Sequence, residues 1–436
     1  MFNKRGVSEL SQGKETTIRL NAKMKNRSQI LRLLRNSDFV SRVDMAKELG
    51  LTRSAITIIT KEMIEEGLIQ ETSHHPLDSS GAPGPNRVYL EITPDFKFVF
   101  GVAVERMRVS VGLSNINGSV LGKRYYNLQD TKNVTYLLRT IISGCKEILE
   151  ENCLSSNDVL AMGICLNESF FEGNMDTEDL YSEISTVIRE QLGIFVCFDE
   201  LINGLALAEM DFYGVHDVNG SSRKYIYISN DYNMVASFVI KNSSLEDYIL
   251  NKVNFGNIIS HVSKNVSSSF DKLDSINKHA SVVSLKKIVD RIYHSVKDTK
   301  LYKMAKEKDM TISELVLFDS NVKLDSAARN IFYEACEWIA VGVYNCSQLL
   351  NNEKIIFFGQ IFENSNFADC FNRCAKEYLP KELFEKICIS RINTRTNFLA
   401  GCAIAIKDSL VKYGGYDPMF IKKYRLEFKV LPIFLF

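Results

Sequence analysis

Between Ser41 and Thr52 the chain carries its tightest local punctuation. Ser41 and Asp44 form a capping-box pair: the serine hydroxyl can accept a first-turn N–H, and the acid three residues on can reach back to the cap N–H. Met45, Ala46 and Leu49 then recur at helical spacing, and Gly50 stands where a helix end favours a left-handed residue. Thr52 can cap a further helix running to about Glu66. Two short helices joined by Gly50-Leu51-Thr52-Arg53 make a helix-turn-helix, whose second helix packs one face on the first and offers the other to a DNA major groove. Ile56, Ile59 and Met63 fall on the inner face, which leaves Arg53, Ser54, Thr57, Ile58 and Lys61 outward. Arginine can pair bidentately with guanine, threonine can meet a base edge or a phosphate, and an exposed isoleucine can meet a thymine methyl. Arg42 and Thr52, at the starts of the two helices, complete the candidate DNA-binding set on this motif.

The flanks extend the motif. Ile30, Leu33 and Leu34 give a preceding helix from Asn26, with Arg27, Arg32 and Arg35 on its other faces, while residues 1–25 are polar, lack a period and read as a flexible basic arm. After Gly67, a strand, a glycine- and proline-rich loop and a second strand over Val88 to Ile92 have the order of a wing, whose tip can reach the DNA backbone or minor groove through Gly84 and Arg87. His74 and His75 are adjacent and would face opposite sides, so they read as loop residues rather than metal ligands. Residues 26–92 therefore read as a winged helix-turn-helix.

Charge agrees with this assignment. The formal net charge of the 436 residues is zero, but Met1 to Lys61 hold 13 basic and 5 acidic residues, so a +8 end is offset by a −8 remainder. Such asymmetry suggests a polyanion-binding module on a mildly acidic body. No window of 18 apolar residues occurs and the first residues have no apolar core, so the chain reads as a cytoplasmic protein that does not cross a membrane; apolar Val430 to Phe436 reads as a docked terminal segment. The ten cysteines form no CxxC, and the closest pair, Cys370 and Cys374, lacks a second pair or nearby histidine. They read as reduced core residues, and neither a metal site nor a cofactor is expected.

Beyond Pro94 strands and helices alternate. Three strands with turns near Glu105–Arg106 and Asn117–Gly118 precede a helix over Val134 to Glu151; strands VLAMGICL and IFVCFDE flank a helix at about Thr177–Leu192, and a helix over Ile202 to Tyr213 follows. A second round has strands KYIYISN, MVASFVIKN and KIIFFG with helical stretches at Leu285–Ala305 and Ala327–Leu350. Two successive rounds describe an α/β body of two lobes, 93–220 and 221–436, the last helix returning to the first lobe, with a ligand expected in a cleft.

From Asn26 to about Ser409 the chain resembles the ROK family (repressors, open reading frames and sugar kinases), specifically its xylose-repressor-type transcriptional regulators, most clearly in LTRSAITIITKEMIEEGLI and the following SSGAPGPNR wing. The resemblance implies an N-terminal winged helix-turn-helix fused to a two-lobed, actin-like, sugar-kinase-like body, usually a homodimer, with a sugar or sugar-derivative effector altering affinity for a double-stranded DNA operator. It also implies that the kinase chemistry is gone. Ala103 and Glu105 stand in the first phosphate turn, where a glutamate would repel phosphate. Glu200-Leu201-Ile202-Asn203 stands where the family has N-D-A-N, and Leu201 cannot serve as a general base. Tyr232 to Phe238 replace a glycine-rich phosphate loop, and the family's late G-G turn survives only as Phe358-Gly359-Gln360. The family's zinc segment corresponds to Gly256 through Ser260 with His261 one place late, and no cysteine lies between Cys197 and Cys336. The residues matching the sugar site are Asn167, Glu168, Asn203, Asn257 and His261.

The expectation is a sequence-specific DNA-binding regulator, a repressor of carbohydrate-related genes, with a kinase-inactive body for dimerisation and effector sensing. The alternatives are a sugar kinase with an added N-terminal domain and a ligand-free interaction platform.

Overall fold

The structure, a computed structural model, describes residues 4–37, 39–72, 88–127, 133–167, 177–214, 223–243, 245–262, 273–294 and 300–421. It divides into two compact units, Met1–Ser221 with Asn242–Asp247 and Phe398–Phe436, and Ser222–Lys241 with Tyr248–Asn397. The sequence places 221–436 in the second lobe with its last helix returning to the first, and Phe398 onward belongs to the first unit.

The first unit begins with helix α1 (Lys4–Asn36), followed by β1 (Val40–Ser41), α2 (Arg42–Leu49), α3 (Arg53–Glu65), β2 (Ile69–Glu71) and β3 (Tyr89–Ile92). The three strands form an antiparallel sheet in the order β1-β3-β2. The region read as a flexible arm, residues 1–25, is helical from Lys4, continuous with the helix expected at Asn26. A helix without an apolar stripe leaves no period in the sequence, and KETTIRLNAKMK is rich in helix-favouring residues. Its end is also anchored: Met24 is buried with Tyr413 and Ile421, and Leu20 packs on them.

The same unit continues with β4 (Phe98–Val104), β5 (Arg108–Ser114), β6 (Val120–Asn127), α4 (Val134–Glu151), β7 (Val159–Leu166), α5 (Thr177–Leu192), β8 (Val196–Glu200) and α6 (Leu201–Tyr213). The sheet order is β6-β5-β4-β7-β8, with β4 antiparallel to β5 and parallel to β7. The buried strands β4, β5 and β7 read as near-continuous apolar runs, and α4 and α5 lay their leucine and isoleucine stripes on them.

The second unit contains β9 (Arg223–Asn230), β10 (Met234–Lys241), β11 (Ile249–Val253), β12 (Ile259–Val262), β13 (Leu273–Ser275), α7 (Ile276–Ala280), α8 (Val282–Tyr293), α9 (Lys300–Glu307), α10 (Ile312–Phe318), α11 (Ser326–Leu349), β14 (Lys354–Phe358), α12 (Gln360–Glu363), α13 (Ser365–Tyr378), α14 (Lys381–Phe384) and β15 (Ile387–Ile389). Its main sheet, β11-β10-β9-β14-β15, repeats the plan of the first: a meander of three antiparallel strands, then two parallel ones. The single helix expected over Leu285–Ala305 is two, α8 and α9, each with its own apolar stripe. The core joins these helices to α11, α13 and the buried strands.

Helix α15 (Leu399–Ala405) closes the first unit, packing on α6, β4 and β7. Glycine permits this approach: a Cβ on Gly163 would lie 2.0 Å from the Gly401 carbonyl oxygen, and one on Gly401 would lie 2.6 Å from Val102 N. A π-helical turn, Ile406–Val411, follows.

Candidate nucleic-acid interface

The helix-turn-helix is assembled by the capping chemistry legible in the sequence. Ser41 Oγ accepts from Asp44 N at 3.3 Å while Asp44 Oδ2 accepts from Ser41 N at 3.0 Å. Gly50 takes φ 64°, a left-handed conformation that a side chain would strain, and Thr52 Oγ1 accepts from Ala55 N at 3.2 Å. On α3, Ile56, Ile59, Thr60 and Met63 are buried. Arg53, Ser54, Thr57, Ile58 and Lys61 are all exposed, and Ile58, 62% exposed, stands out as an apolar side chain with no structural reason to face water. Their positions, recurring every three or four residues, line one stripe of the helix.

The remaining candidates divide. The Thr52 side chain is exposed, but its hydroxyl is occupied as the cap. Arg42 is a brace: its Nε donates to Thr60 Oγ1 at 3.1 Å and its Nη2 to Glu71 at 3.4 Å, tying α2 to α3 and β2. Gly84, Arg87, His74 and His75 lie outside the described residues, as does the wing tip.

Sequence reasoning missed how this module is held. Arg27, fully buried on α1, donates from Nη1 to Glu66 at 2.8 Å, from Nε to the Gly414 carbonyl at 2.8 Å and from Nη1 to Tyr416 at 3.3 Å, and stacks 4.4 Å over the Tyr416 ring. A second contact from Nη2 makes the Glu66 pairing bidentate. Glu66 caps the C-terminus of α3, so one guanidinium joins the candidate recognition helix, α1 and the segment after α15. The hydrogen bond from Arg27, with Lys23 nearby, holds the Glu66 carboxyl below the usual carboxylate range. Lys23 also pairs with Glu62 at 2.6 Å. Gly414 and Gly415 have φ 61° and 83°, and a Cβ on Gly415 would come 2.3 Å from Leu68, just past α3. Further along α1, Arg32 pairs with Asp247 at 2.8 Å and Arg35 with the nearly buried Asp211. Lys23, Arg27, Arg32, Arg35 and Arg42, all counted in the +8 end, are therefore engaged within the protein.

In the rest of the first unit, Glu105 is bound by Arg108, with one contact at 2.8 Å, and does not stand as an unpaired carboxylate. Leu201 is buried at the start of α6. Asn203 donates to Asp199 at 3.2 Å, and Lys407 Nζ lies 3.9 Å from the same carboxylate. Asn167 follows the C-terminal end of β7, and its N–H donates to Val104 O at 2.9 Å; Glu168 lies outside the described residues. In the second unit, Asn257 accepts from Asn277 Nδ2 at 3.4 Å, and His261 lies in β12 opposite Asp274. Where a phosphate loop would present backbone N–H groups, Met234 is buried and its N–H donates to Asn277 Oδ1 at 2.8 Å. The expected sugar-site residues that are described fall in two units, Asn167 and Asn203 in the first and Asn257 and His261 in the second.

Residues 25–70 match a family described as winged helix-turn-helix DNA-binding. Over 401 residues the chain is 20% identical to a xylose repressor of Caldicellulosiruptor bescii, a match covering 88% of this chain and 96% of that one. The chain carries a winged helix-turn-helix DNA-binding domain and is similar over nearly its full length to a xylose repressor. It is also 23% identical over 145 residues to the DNA-binding transcriptional dual regulator NagC of Escherichia coli K12, covering 33% of this chain and 34% of that one. A crystal structure of a ROK family transcriptional regulator, a homologue of the E. coli MLC protein, superposes with a TM-score of 0.64 at 18% identity, covering 92% and 99% of the two chains. That likeness gives the chain the fold expected from its sequence, a winged helix followed by an actin-like body. Its described residues contain no helix long and apolar enough to cross a membrane.

Proposed function

We propose that this regulator is a cytoplasmic repressor of carbohydrate-related genes that binds a double-stranded operator as a homodimer and responds to a sugar or sugar derivative. The observation that carries the reading is the exposed stripe Arg53, Ser54, Thr57, Ile58 and Lys61 on a helix whose opposite face is fully packed. Arginine at the first helical turn suits guanine, Ile58 suits a thymine methyl, and Lys61 suits a phosphate. The wing, through Gly84 and Arg87, supplies a second contact to the DNA backbone or minor groove. The sugar class is taken from the xylose repressor to which the chain is similar over nearly its full length. Selection of genomic fragments by the purified full chain at moderate salt is expected to enrich a two-fold symmetric site, and enrichment indistinguishable from bulk DNA would sink the reading.

The body is assigned no kinase activity. Leucine at the base position cannot accept a hydroxyl proton, and the Met234 N–H is engaged by Asn277. Incubation of the full chain with ATP and a hexose panel should yield no phosphosugar above background; turnover of any member would restore the kinase alternative. Thermal-shift screening of the same panel separates an effector-responsive repressor from a ligand-free platform, because a ligand of the native state raises the melting temperature by mass action.

A further inference from the structure

The second unit holds a side-chain cluster that DNA binding does not use. Cys336 on α11 and Cys370 and Cys374 on α13 bring three sulfurs within 4.8 Å of one another, and all three residues are buried. They are free thiols. Cys370 and Cys374 are one helical turn apart and share the face of α13 that packs on α11, from which Cys336 projects between them. Cys374 is held toward α11 by a weak S–H bond to the Tyr333 carbonyl at 3.9 Å. Cys370 also lines a cavity of about 490 Å³ whose wall includes Arg329, Arg373 and Asp369.

The spacing has a chemical meaning. Zinc–thiolate bonds run about 2.3 Å, so three sulfurs around one ion lie roughly 4 Å apart. Side chains already this close need only small rotamer adjustments to meet a common centre. A disulfide would use two of the three sulfurs and leave the third without a role; a metal uses all three. We propose that Cys336, Cys370 and Cys374 form a three-thiolate site for Zn²⁺, with the cavity beside Cys370 supplying the fourth, water-filled position. Binding replaces three S–H bonds by three Zn–S bonds and releases three protons to solvent, with no change of oxidation state. The product carries one net negative charge, and the wall of the adjoining cavity sets Lys323, Arg329 and Arg373 against Asp369 and Glu377, leaving it net positive toward the site. This site is not the zinc segment implied by the family resemblance, whose matching stretch, Gly256 to Ser260, contains no cysteine.

Cd²⁺ is a spectroscopic stand-in for Zn²⁺ because its thiolate complexes absorb in the near ultraviolet. Reduced, metal-free full chain titrated with Cd²⁺ should develop that absorption to a sharp end point at one equivalent, and Zn²⁺ should displace it. Replacing the exposed Cys153 and Cys388 together by serine should leave the end point unchanged, since they lie outside the cluster. Cys370→Ser and Cys336→Ser should each weaken binding more than tenfold. Absence of a one-equivalent end point in the unsubstituted chain overturns the proposal, whatever the variants do. So does an end point that survives in a folded Cys336→Ser/Cys370→Ser double variant. Oxidative loss of two thiols without metal uptake would likewise overturn it in favour of a redox pair.

Discussion

At the scale of single residues, the asymmetry between Arg27 and Glu66 makes a sharp prediction. Arg27 is fully buried, whereas the Glu66 side chain is 44% exposed. Removing the arginine leaves a carboxylate that water can reach; removing the carboxylate leaves a guanidinium that water cannot. Glu66→Ala should therefore cost about 3 kcal/mol, and Arg27→Met, which keeps much of the apolar stem, about 1–2 kcal/mol, measured by urea unfolding of the full chain. A larger loss from Arg27→Met would show that the Gly414 and Tyr416 contacts outweigh the ion pair. The same pair gives a pH dependence. Arg27 depresses the folded Glu66 carboxyl, so its stabilisation is complete above the ordinary carboxylate value of about 4.3 and is lost as pH falls through the lower folded value. Glu66→Gln should lessen the acid-induced loss of stability below about pH 4.3. On α3, Arg53→Ala should weaken operator binding and relax base preference at one position, costing about 1–3 kcal/mol. Ile58→Ala should leave stability within about 0.5 kcal/mol of the parent, because the side chain packs on nothing that folding requires. Of these residues the α3 stripe was legible from spacing. Arg27 was placed only on a polar face of its helix, because its partners lie 39 and nearly 390 residues away.

At the scale of elements, local chemistry and tertiary packing contributed differently. Helices α2 and α3 follow from Ser41, Asp44, Gly50 and Thr52, whose caps form as the spacing predicts. Strands β4 to β7 and helices α4 and α5 lie within a residue or two of their apolar runs. The long α1 was missed from Lys4 to Lys25 because its few apolar residues, Leu20 and Met24 among them, are too sparse to set a helical period. The division into α8 and α9 was missed because both are amphipathic and the sequence between them continues the pattern loosely. Helix α15 is defined by what it touches, since at Gly401 the helix meets the Gly163 carbonyl and Val102 N with no room for a side chain. Gly401→Ala should lower stability by about 2–3 kcal/mol, because the obstacle is backbone that cannot rotate away. An unaltered melting temperature would mean that this contact is looser than its geometry.

At the scale of the whole molecule, the charge asymmetry sets how binding should respond to salt. The +8 end contains Arg27, Arg32 and Arg35, which are engaged by carboxylates or carbonyls of the same unit. The salt dependence of operator affinity should therefore reflect fewer phosphate contacts than the basic residues of that end suggest. Lys61→Ala should reduce the slope of log affinity against log salt by about 1, while Arg32→Gln should leave it unchanged. Equal effects from the two would place Arg32 on the DNA. The sequence by itself determined the winged helix-turn-helix, its outward stripe and a body of two repeated α/β rounds, because caps, turns and apolar periods act over a few residues. Only the tertiary structure decided that Arg27 joins α3 to a glycine turn at residue 414, that Gly401 of α15 meets the Gly163 carbonyl, and that Cys336 completes the cluster of Cys370 and Cys374. Each of these depends on groups far apart in the chain meeting at distances that local pattern does not encode.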